Sequence, residues 1–576
     1  MNELILKIEK KIKDALVKNG YDDEVVVNFS SRVDLGEFQY NGVMKLAKVY
    51  GKNPREIAEV VVNTLKEDNF FKDVNVAGPG FINITINDNC LLEFINKIIN
   101  NFDILIPEVS NKKIVIDYGG ANAAKALHVG HMRSANIGEA LKRLAKIFDN
   151  NVISDVHLGD LGRQSGMLIS EIKKRNPELC FFDKDYKGEY PKLDITNEML
   201  SSYYPVASSA AKENEDRMNE VREITSLVEA GYSPYMNLWK QIVDVSSEEI
   251  KKIYNRLNCS FDLWEGEIDS IKHTDKVLEY VKDYMYLDDG AQIVDVKEES
   301  DKLEIPPMII INRNGATNYE TRELGTLYSR IERFNPDEVW YVVDNRQALH
   351  FIQSFRVAYK TNMVSEDTKL LHLGFGTING KDGKPFKTRD GGVMELNTLI
   401  NMIKEEITKK VSDRVDESIK EDTIEKLTIA TLKYADLCSF RATDYIFDIE
   451  KFSSFEGKTG PYILYTCVRI KSLFEKNEIK EFNISMINNS NDLNIYLKLL
   501  EVSNVLKKSY EEKSLNYICD YLYELCSLYN KFYGECNITN CDNINLKNSW
   551  LSLSKLVLDV CKNLLDILAI DIPEKM

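Results

Sequence analysis

The stretch from 113 to about 160 constrains the fold more than any other part of the chain. KKIVIDY is a short apolar strand, followed by a Gly/Ala/Asn loop. GHMRSANIGEALKRLAKIF then carries Ile137, Leu141, Leu144 and Phe148 at helical spacing, and NVISDVHLGD is a second strand. Strand, helix and strand in that order predict a β-α-β unit opening a parallel α/β domain. After a charged helical insertion at about 166–265, the pattern resumes with QIVDV, PPMIIIN, EVWYVVDN and LLHLGF, so the α/β domain is expected to span 106–400. Residues 1–105 read as a smaller α+β unit: an amphipathic helix, the alternating VVVNF, a helix beginning near Pro54, and DVNVAGPGFINITI with a tight turn before a strand. Residues 401–576 are almost wholly helical, broken by an Asn-rich loop near 486–494.

A chain of 576 residues has room for three to five domains at about 150 residues each. With 28 Gly, 13 Pro and 44% hydrophobic residues, it departs from disordered and collagen-like compositions. No apolar run approaches the roughly 18 residues of a spanning helix, and MNELILKIEKKIKDAL lacks the core and cleavage site of a signal peptide, so a cytoplasmic protein without a membrane partner is expected. The 10 cysteines include no C-x-x-C pair and fall among helical apolar residues, which predicts reduced core thiols and no structural metal. A net charge of −17 argues against general nucleic-acid binding, and hence against DNA, but a local basic stripe for a specific RNA is compatible with it.

The first chemical signal is His128-Val129-Gly130-His131, at the turn from strand to helix. With 6 His and 28 Gly in the chain, an H-x-G-H string is expected by chance ~0.003 times. A helix N-terminus offers unpaired N–H groups, Gly130 removes a side chain that would block a flat base, and two imidazoles can donate to phosphate oxygens. Those are the parts of an ATP site. Asp117 ends the first strand, at the carboxyl edge where open α/β sheets bind ligands.

The segment GGANAAKALHVGHMRSANIGEALKRL, followed by HLGDLGRQSGMLI, resembles the signature region of class I arginyl-tRNA synthetases. AGPGFINI is similar to the end of that family's additional N-terminal domain, and FGTINGKDGKPFKTRDGGVMEL to its second ATP loop. SSFEGKTGPYILYTCVRIKSL, LYELCSLYNKFYGEC and the closing LAIDIPEKM resemble its helical anticodon-binding domain. The resemblance spans nearly the whole chain. It implies a Rossmann-type catalytic domain flanked by an α+β N-terminal domain and an α-helical C-terminal domain. The implied activity is ATP-dependent attachment of arginine to tRNA(Arg) through an arginyl-adenylate, with Mg2+ accompanying ATP, no resident metal, and a monomeric enzyme. Activation of arginine would require bound tRNA.

The same resemblance assigns residues. Catalysis of adenylate formation is mostly positioning plus neutralisation of phosphate charge. His128, His131 and Lys125 would serve it together with Lys384 and Lys387, although the KMSKS-type motif fits either KPFKT or PFKTR. A guanidinium fork calls for carboxylates, and the arginine contacts map to Asn122, Glu267, Tyr319, Glu323 and Gln347, with Asp117 near them. Glu323 stands where the family usually has Asp, and GGANAAK lacks the Ser or Pro that many members have before the Asn. For RNA, Phe38 and Tyr40 would stack on a D-loop base while Gln39 or Asn41 hydrogen-bonds one. Arg441, Tyr445 and Phe447, with Arg469 and Lys471, would serve the anticodon side.

Three other readings compete. A cysteinyl-type class I synthetase needs a zinc site of Cys and His that this chain lacks, and a plain nucleotidylyltransferase is excluded by size and by the helical C-terminal half. A non-catalytic paralogue is disfavoured by the retained histidines, lysines and carboxylates, with Glu323 its only support.

Overall fold

The computed structural model describes residues 3–576 apart from 31, 108–109, 124, 314, 385, 387–393, 412–414 and 480. At the N-terminus, helix Glu3–Lys18 buries Leu4, Ile5, Ile8, Ile12, Ala15 and Leu16, one stripe at helical spacing. An antiparallel sheet accompanies it, in the order Val27–Phe29, Phe38–Tyr40, Phe81–Ile86, Phe71–Ala77. Gly78 and Gly80 turn the last hairpin, and a Cβ on Gly80 would stand 3.1 Å from Pro54. Pro54 opens helix Pro54–Leu65 behind an Asn53 cap.

The central sheet is parallel, in the order Lys369–His372, Glu338–Tyr341, Lys113–Asp117, Asn151–Asp155. The chain leaves Lys113–Asp117 through helix Val129–Ile147 to Asn151–Asp155 on one side, and later adds Glu338–Tyr341 on the other. Strand order therefore reverses between Lys113–Asp117 and Glu338–Tyr341, which opens a crevice at their carboxyl ends.

Two of the segments expected to continue this sheet do otherwise. QIVDV and PPMIIIN supply strands Ala291–Val294 and Met308–Ile311, which join Met285–Asp288 in a separate antiparallel sheet. The cause is a two-residue hairpin loop, Asp289-Gly290, with φ of 46° and 81°. Asp-Gly is a strong signal for such a tight antiparallel turn. Within the span read as an insertion lie helices Arg163–Arg175, Asn197–Glu213, Glu215–Glu229 and Ser233–Arg256, sharing a core that includes Leu168, Leu200, Ile224 and Leu238.

The helical C-terminal part is fastened to the signature helix. Arg133 of Val129–Ile147 pairs with Asp436 of helix Glu417–Leu437 at 2.9 Å, both side chains at most 1% exposed, and Asn136 donates to the same carboxylate at 3.0 Å. The Arg133 guanidinium also donates to the carbonyls of Gly376 and Thr443. A buried ion pair is stable only with such further hydrogen bonds.

Candidate active site

A cavity of about 340 Å³ opens where the strand order reverses, with Asp117 and Tyr341 from the two strand ends in its wall. Of the residues expected to contact ATP, His128, Gly130 and His131 line it. Of those expected to contact arginine, Asp117, Asn122, Glu267, Tyr319, Glu323 and Gln347 all do.

The histidines are set by the helix start. His128 is the N-cap of Val129–Ile147: its Nδ1 accepts the Gly130 N–H at 3.1 Å, and its own N–H donates to His131 Nδ1 at 3.1 Å. The rings stack with centroids 3.7 Å apart. Because each Nδ1 accepts a backbone N–H, each neutral ring carries its proton on Nε2. Burial pushes the His131 pKa down to about 3, with His128 and Lys125 adding to the effect. His128 is lowered too, by burial and then Arg346. The pair is therefore two neutral Nε2–H donors at a helix N-terminus.

Asn122 is fixed by a zipper between the loops that follow Lys113–Asp117 and Asn151–Asp155. Ala123 N–H donates to Gly159 O at 3.0 Å, and Gly159 N–H to Ala121 O at 2.9 Å. A Cβ on Gly159 would meet Asn122 Oδ1 at 2.6 Å, so any larger residue here would push the Asn122 side chain out of place.

Helix Tyr319–Phe334 presents a polar stripe. Tyr319, Glu323, Thr326 and Arg330 follow one another by four, three and four residues, so they share a face. Tyr319 and Glu323 line the cavity, Thr326 Oγ1 is 3.4 Å from His157 Nε2, and Arg330 Nη2 reaches Asp117 at 2.7 Å and Asp155 at 2.6 Å. His157 Nδ1 is 3.7 Å from Asp155. Burial opposes a charge on His157, but Asp155 more than offsets this and the pKa is raised to about 9.

These contacts settle the charge balance of the wall. Asp117 and Asp155 are answered by Arg330 and His157, Glu267 by Arg322 at 3.1 Å, and Asp344 by Arg346 at 2.8 Å. Glu323 is the lining carboxylate without a guanidinium against it among the described residues. Its Oε1 is buried without a hydrogen-bond partner, and its Oε2 lies 3.9 Å from His350 Nε2, which is likewise unpartnered. Burial pushes Glu323 up, yet His350, His157 and Arg330 together hold it below its ordinary value, as an anion.

Lys125 and Lys384 are not among the residues lining this cavity. Lys125 is exposed, its Nζ 5.1 Å from the ring centroid of Tyr204 on helix Asn197–Glu213. Lys384 is exposed on a turn closed by Gly380 N–H to Lys384 O at 2.8 Å. Lys387 lies outside the described residues, as does the rest of the motif needed to choose its register.

Four aromatics expected at RNA, Phe38, Tyr40, Tyr445 and Phe447, are buried instead of presented to a base. Phe38 and Tyr40 are 0% and 1% exposed, facing the core, where the Tyr40 hydroxyl donates to Asp23 at 2.8 Å. Strand alternation sends both rings to one side and leaves Gln39 on the other, donating to Asn83 at 2.9 Å. Asn41 is half-buried with its Oδ1 enclosed. Tyr445 and Phe447 are buried, Tyr445 beneath Arg133. Arg441 is engaged by the carbonyls of Lys513 and Gly374 at 3.0 and 2.8 Å. Arg469 and Lys471 are similarly occupied, by Asn530 and by the Pro573 carbonyl.

His157, Arg322, Arg330 and His350 belong to the site and were not anticipated. His157 was in view within HLGD, directly after a strand, and Arg322 adjoins Glu323. Arg330 carried no local signal, being 213 residues from Asp117. Among the described residues no group of three or more His, Cys, Asp and Glu could hold a metal ion, and no helix is long and apolar enough to cross a membrane.

Comparison with known proteins adds the following. Residues 95–449 match the family described as tRNA synthetases class I (R), catalytic domain; 2–86 match the arginyl tRNA synthetase N terminal domain, and 463–576 the DALR anticodon binding domain. The chain is 43% identical to an arginine–tRNA ligase of Alkaliphilus oremlandii, covering 100% of both chains. It is 40% identical to that of Francisella tularensis subsp. novicida, over 99% of this chain and 100% of the other. Its fold is similar to those of the arginyl-tRNA synthetases of Plasmodium falciparum (TM-score 0.80, 23% identity) and Thermus thermophilus (TM-score 0.77, 19% identity), each covering 100% of both chains.

Proposed function

The chain belongs to the class I arginyl-tRNA synthetases, and from that premise we propose how its residues carry the reaction. It activates arginine with ATP and transfers it to tRNA(Arg). The arginine carboxylate attacks the α-phosphorus, diphosphate leaves, and a ribose hydroxyl at the tRNA end then attacks the adenylate carbonyl as AMP leaves.

The observation that carries the assignment of the pocket is its charge balance. Glu323 is a buried anion with one oxygen unpartnered, in a wall whose other carboxylates are answered from within the chain. A single guanidinium completes it by charge-assisted hydrogen bonds. Tyr319 and Glu267 flank that cation, while Asn122 and Gln347 serve the α-amino and carboxylate end. His128 and His131 donate through Nε2 to phosphate oxygens, aided by the N–H groups of the helix start. Lys125, Lys384 and Lys387 supply further charge, and for Lys125 this means leaving the Tyr204 ring.

Mg2+ comes with ATP in this reading. The lining carboxylates other than Glu323 are taken up by cations of the chain, so the phosphates and water are left as its main ligands. Gln39, on the outer face of its strand, remains the D-loop contact, and the helical domain takes the anticodon. The reading also makes the chain a cytoplasmic monomer that activates arginine only with tRNA bound.

Aminoacylation with each of the twenty amino acids and total tRNA tests this directly. Arginine is expected as the only strong signal, and ATP/diphosphate exchange without tRNA should stay near background. A strong signal with another amino acid would refute the pocket assignment, and robust exchange without tRNA would refute the tRNA requirement.

A further inference from the structure

The cavity read as the arginine site already contains a guanidinium of the chain. Arg322 donates through Nε to Glu267 Oε2 at 3.1 Å, and its Nη1 lies 3.7 Å from Glu229 Oε1 on helix Glu215–Glu229. The Arg322 and Glu267 side chains are 17% and 16% exposed, and both line the cavity.

The backbone of Glu267 is fixed independently of this pair. Glu267 heads the short helix Glu267–Ile271, whose Ile268 N–H donates to Asp160 Oδ1 at 3.1 Å. Before it, Gly266 is so close to Asp160 that a Cβ would stand 2.2 Å from Oδ2. With the main chain held, the direction of the carboxylate depends on what grips it, and Arg322 grips one of its two oxygens.

We propose that Arg322 is a positioning residue for arginine binding, aiming the Glu267 carboxylate at the substrate cation and fixing its charge. This rests on the reading of Glu267 as a substrate contact. The surroundings make the charge need fixing. Burial holds the Glu267 pKa above its ordinary value and Glu323 adds to that, while Arg322 and His157 offset only part of the rise. Among the described residues, Asp160 and Tyr319 also feel its charge, Asp269 lies two residues on in the same short helix, and Glu229 stands behind Arg322. Without Arg322 the carboxyl would stay protonated to higher pH and would bind arginine only as pH rose.

The test measures KM for arginine and for ATP, and kcat, in tRNA aminoacylation from pH 6 to 9 with full-length Arg322→Gln, Arg322→Lys and Glu267→Gln proteins, with thermal unfolding of each. Arg322→Gln and Glu267→Gln should both raise arginine KM about tenfold or more, the scale of a lost charge-assisted contact, with ATP KM little changed. In Arg322→Gln the arginine KM should fall as pH rises; in Glu267→Gln, which has no carboxyl to titrate, that slope should be missing. Arg322→Lys, which keeps the charge, should remove most of the slope. A native arginine KM in Arg322→Gln beside a raised one in Glu267→Gln would overturn the proposal alone. A raised KM with no pH slope and no rescue by Lys would also overturn it, by making Arg322 merely structural. A native KM in Glu267→Gln would overturn the underlying reading and the proposal with it. Should Arg322→Gln fail to fold, Arg322→Lys decides: a KM equal to that of Glu267→Gln overturns the proposal, and one nearer the native value supports it.

Discussion

His131 lies flat against His128, ring centroids 3.7 Å apart, and the Nδ1 of each is occupied by a backbone N–H from the same helix start. The capping box thus fixes the tautomer: the rings reach the cavity as neutral Nε2–H donors. Replacing His131 by Ala removes one of these and should lower the rate of adenylate formation about 10² to 10³-fold with little effect on tRNA affinity. It also takes the acceptor from the His128 N–H, at a cost of about 1 kcal/mol in stability. Presteady-state activation and thermal unfolding measure the two effects separately. Since burial holds His131 near 3, its titration should contribute no limb to the pH profile above pH 5.

The His157–Asp155 pair makes a prediction about stability and pH. His157 is raised from 6.5 to about 9 in the folded chain, so it binds its proton more tightly folded than unfolded. Its contribution is fully present below about 6.5 and is lost as pH rises through about 9. Thermal unfolding should therefore show a fall in Tm across that window which His157→Gln lacks. Parallel curves for the two proteins would remove the protonated histidine from the account.

On the proposed reading, Tyr40 serves structure and Gln39 recognition on one strand. Tyr40→Phe loses a buried hydrogen bond to Asp23 and should cost about 1 to 3 kcal/mol of stability while tRNA affinity stays native. Gln39→Ala should do the opposite, weakening tRNA binding with stability little changed. Binding titrations and denaturant melts on both variants measure this, and a tRNA defect in Tyr40→Phe alone would reverse the assignment.

The parallel sheet and the histidine site were legible because a strand, a helical repeat and a rare H-x-G-H string coincide within some fifty residues. Asp117 was legible from its place at the carboxyl end of a strand, the other pocket residues only by resemblance, and their electrostatics were not legible at all. The sequence carries no sign that Arg330 and Arg322 answer Asp117 and Glu267, as they do in the fold. Phe38 and Tyr40 are buried for a local reason that the pattern contained. In Phe38-Gln39-Tyr40 the two rings are two residues apart, so in a strand with one buried face they go inward together and the polar residue goes out. The Asp289-Gly290 pair likewise carried the antiparallel hairpin in plain view.

The most direct test of the account is at Glu323, the buried anion that, in the proposed reading, one substrate guanidinium completes. Arginine kcat/KM should be measured in tRNA aminoacylation for Glu323→Gln and Glu323→Asp. Glu323→Gln keeps the shape but removes the charge, and should lose roughly 2 to 4 kcal/mol of transition-state binding, about 30- to 1000-fold. Glu323→Asp keeps the charge at shorter reach and should fall between, losing about half as much, about 1 to 2 kcal/mol. Arginine efficiency close to the original in both variants would contradict the account, because the lining carboxylate with no guanidinium against it among the described residues would then have no part in holding the substrate.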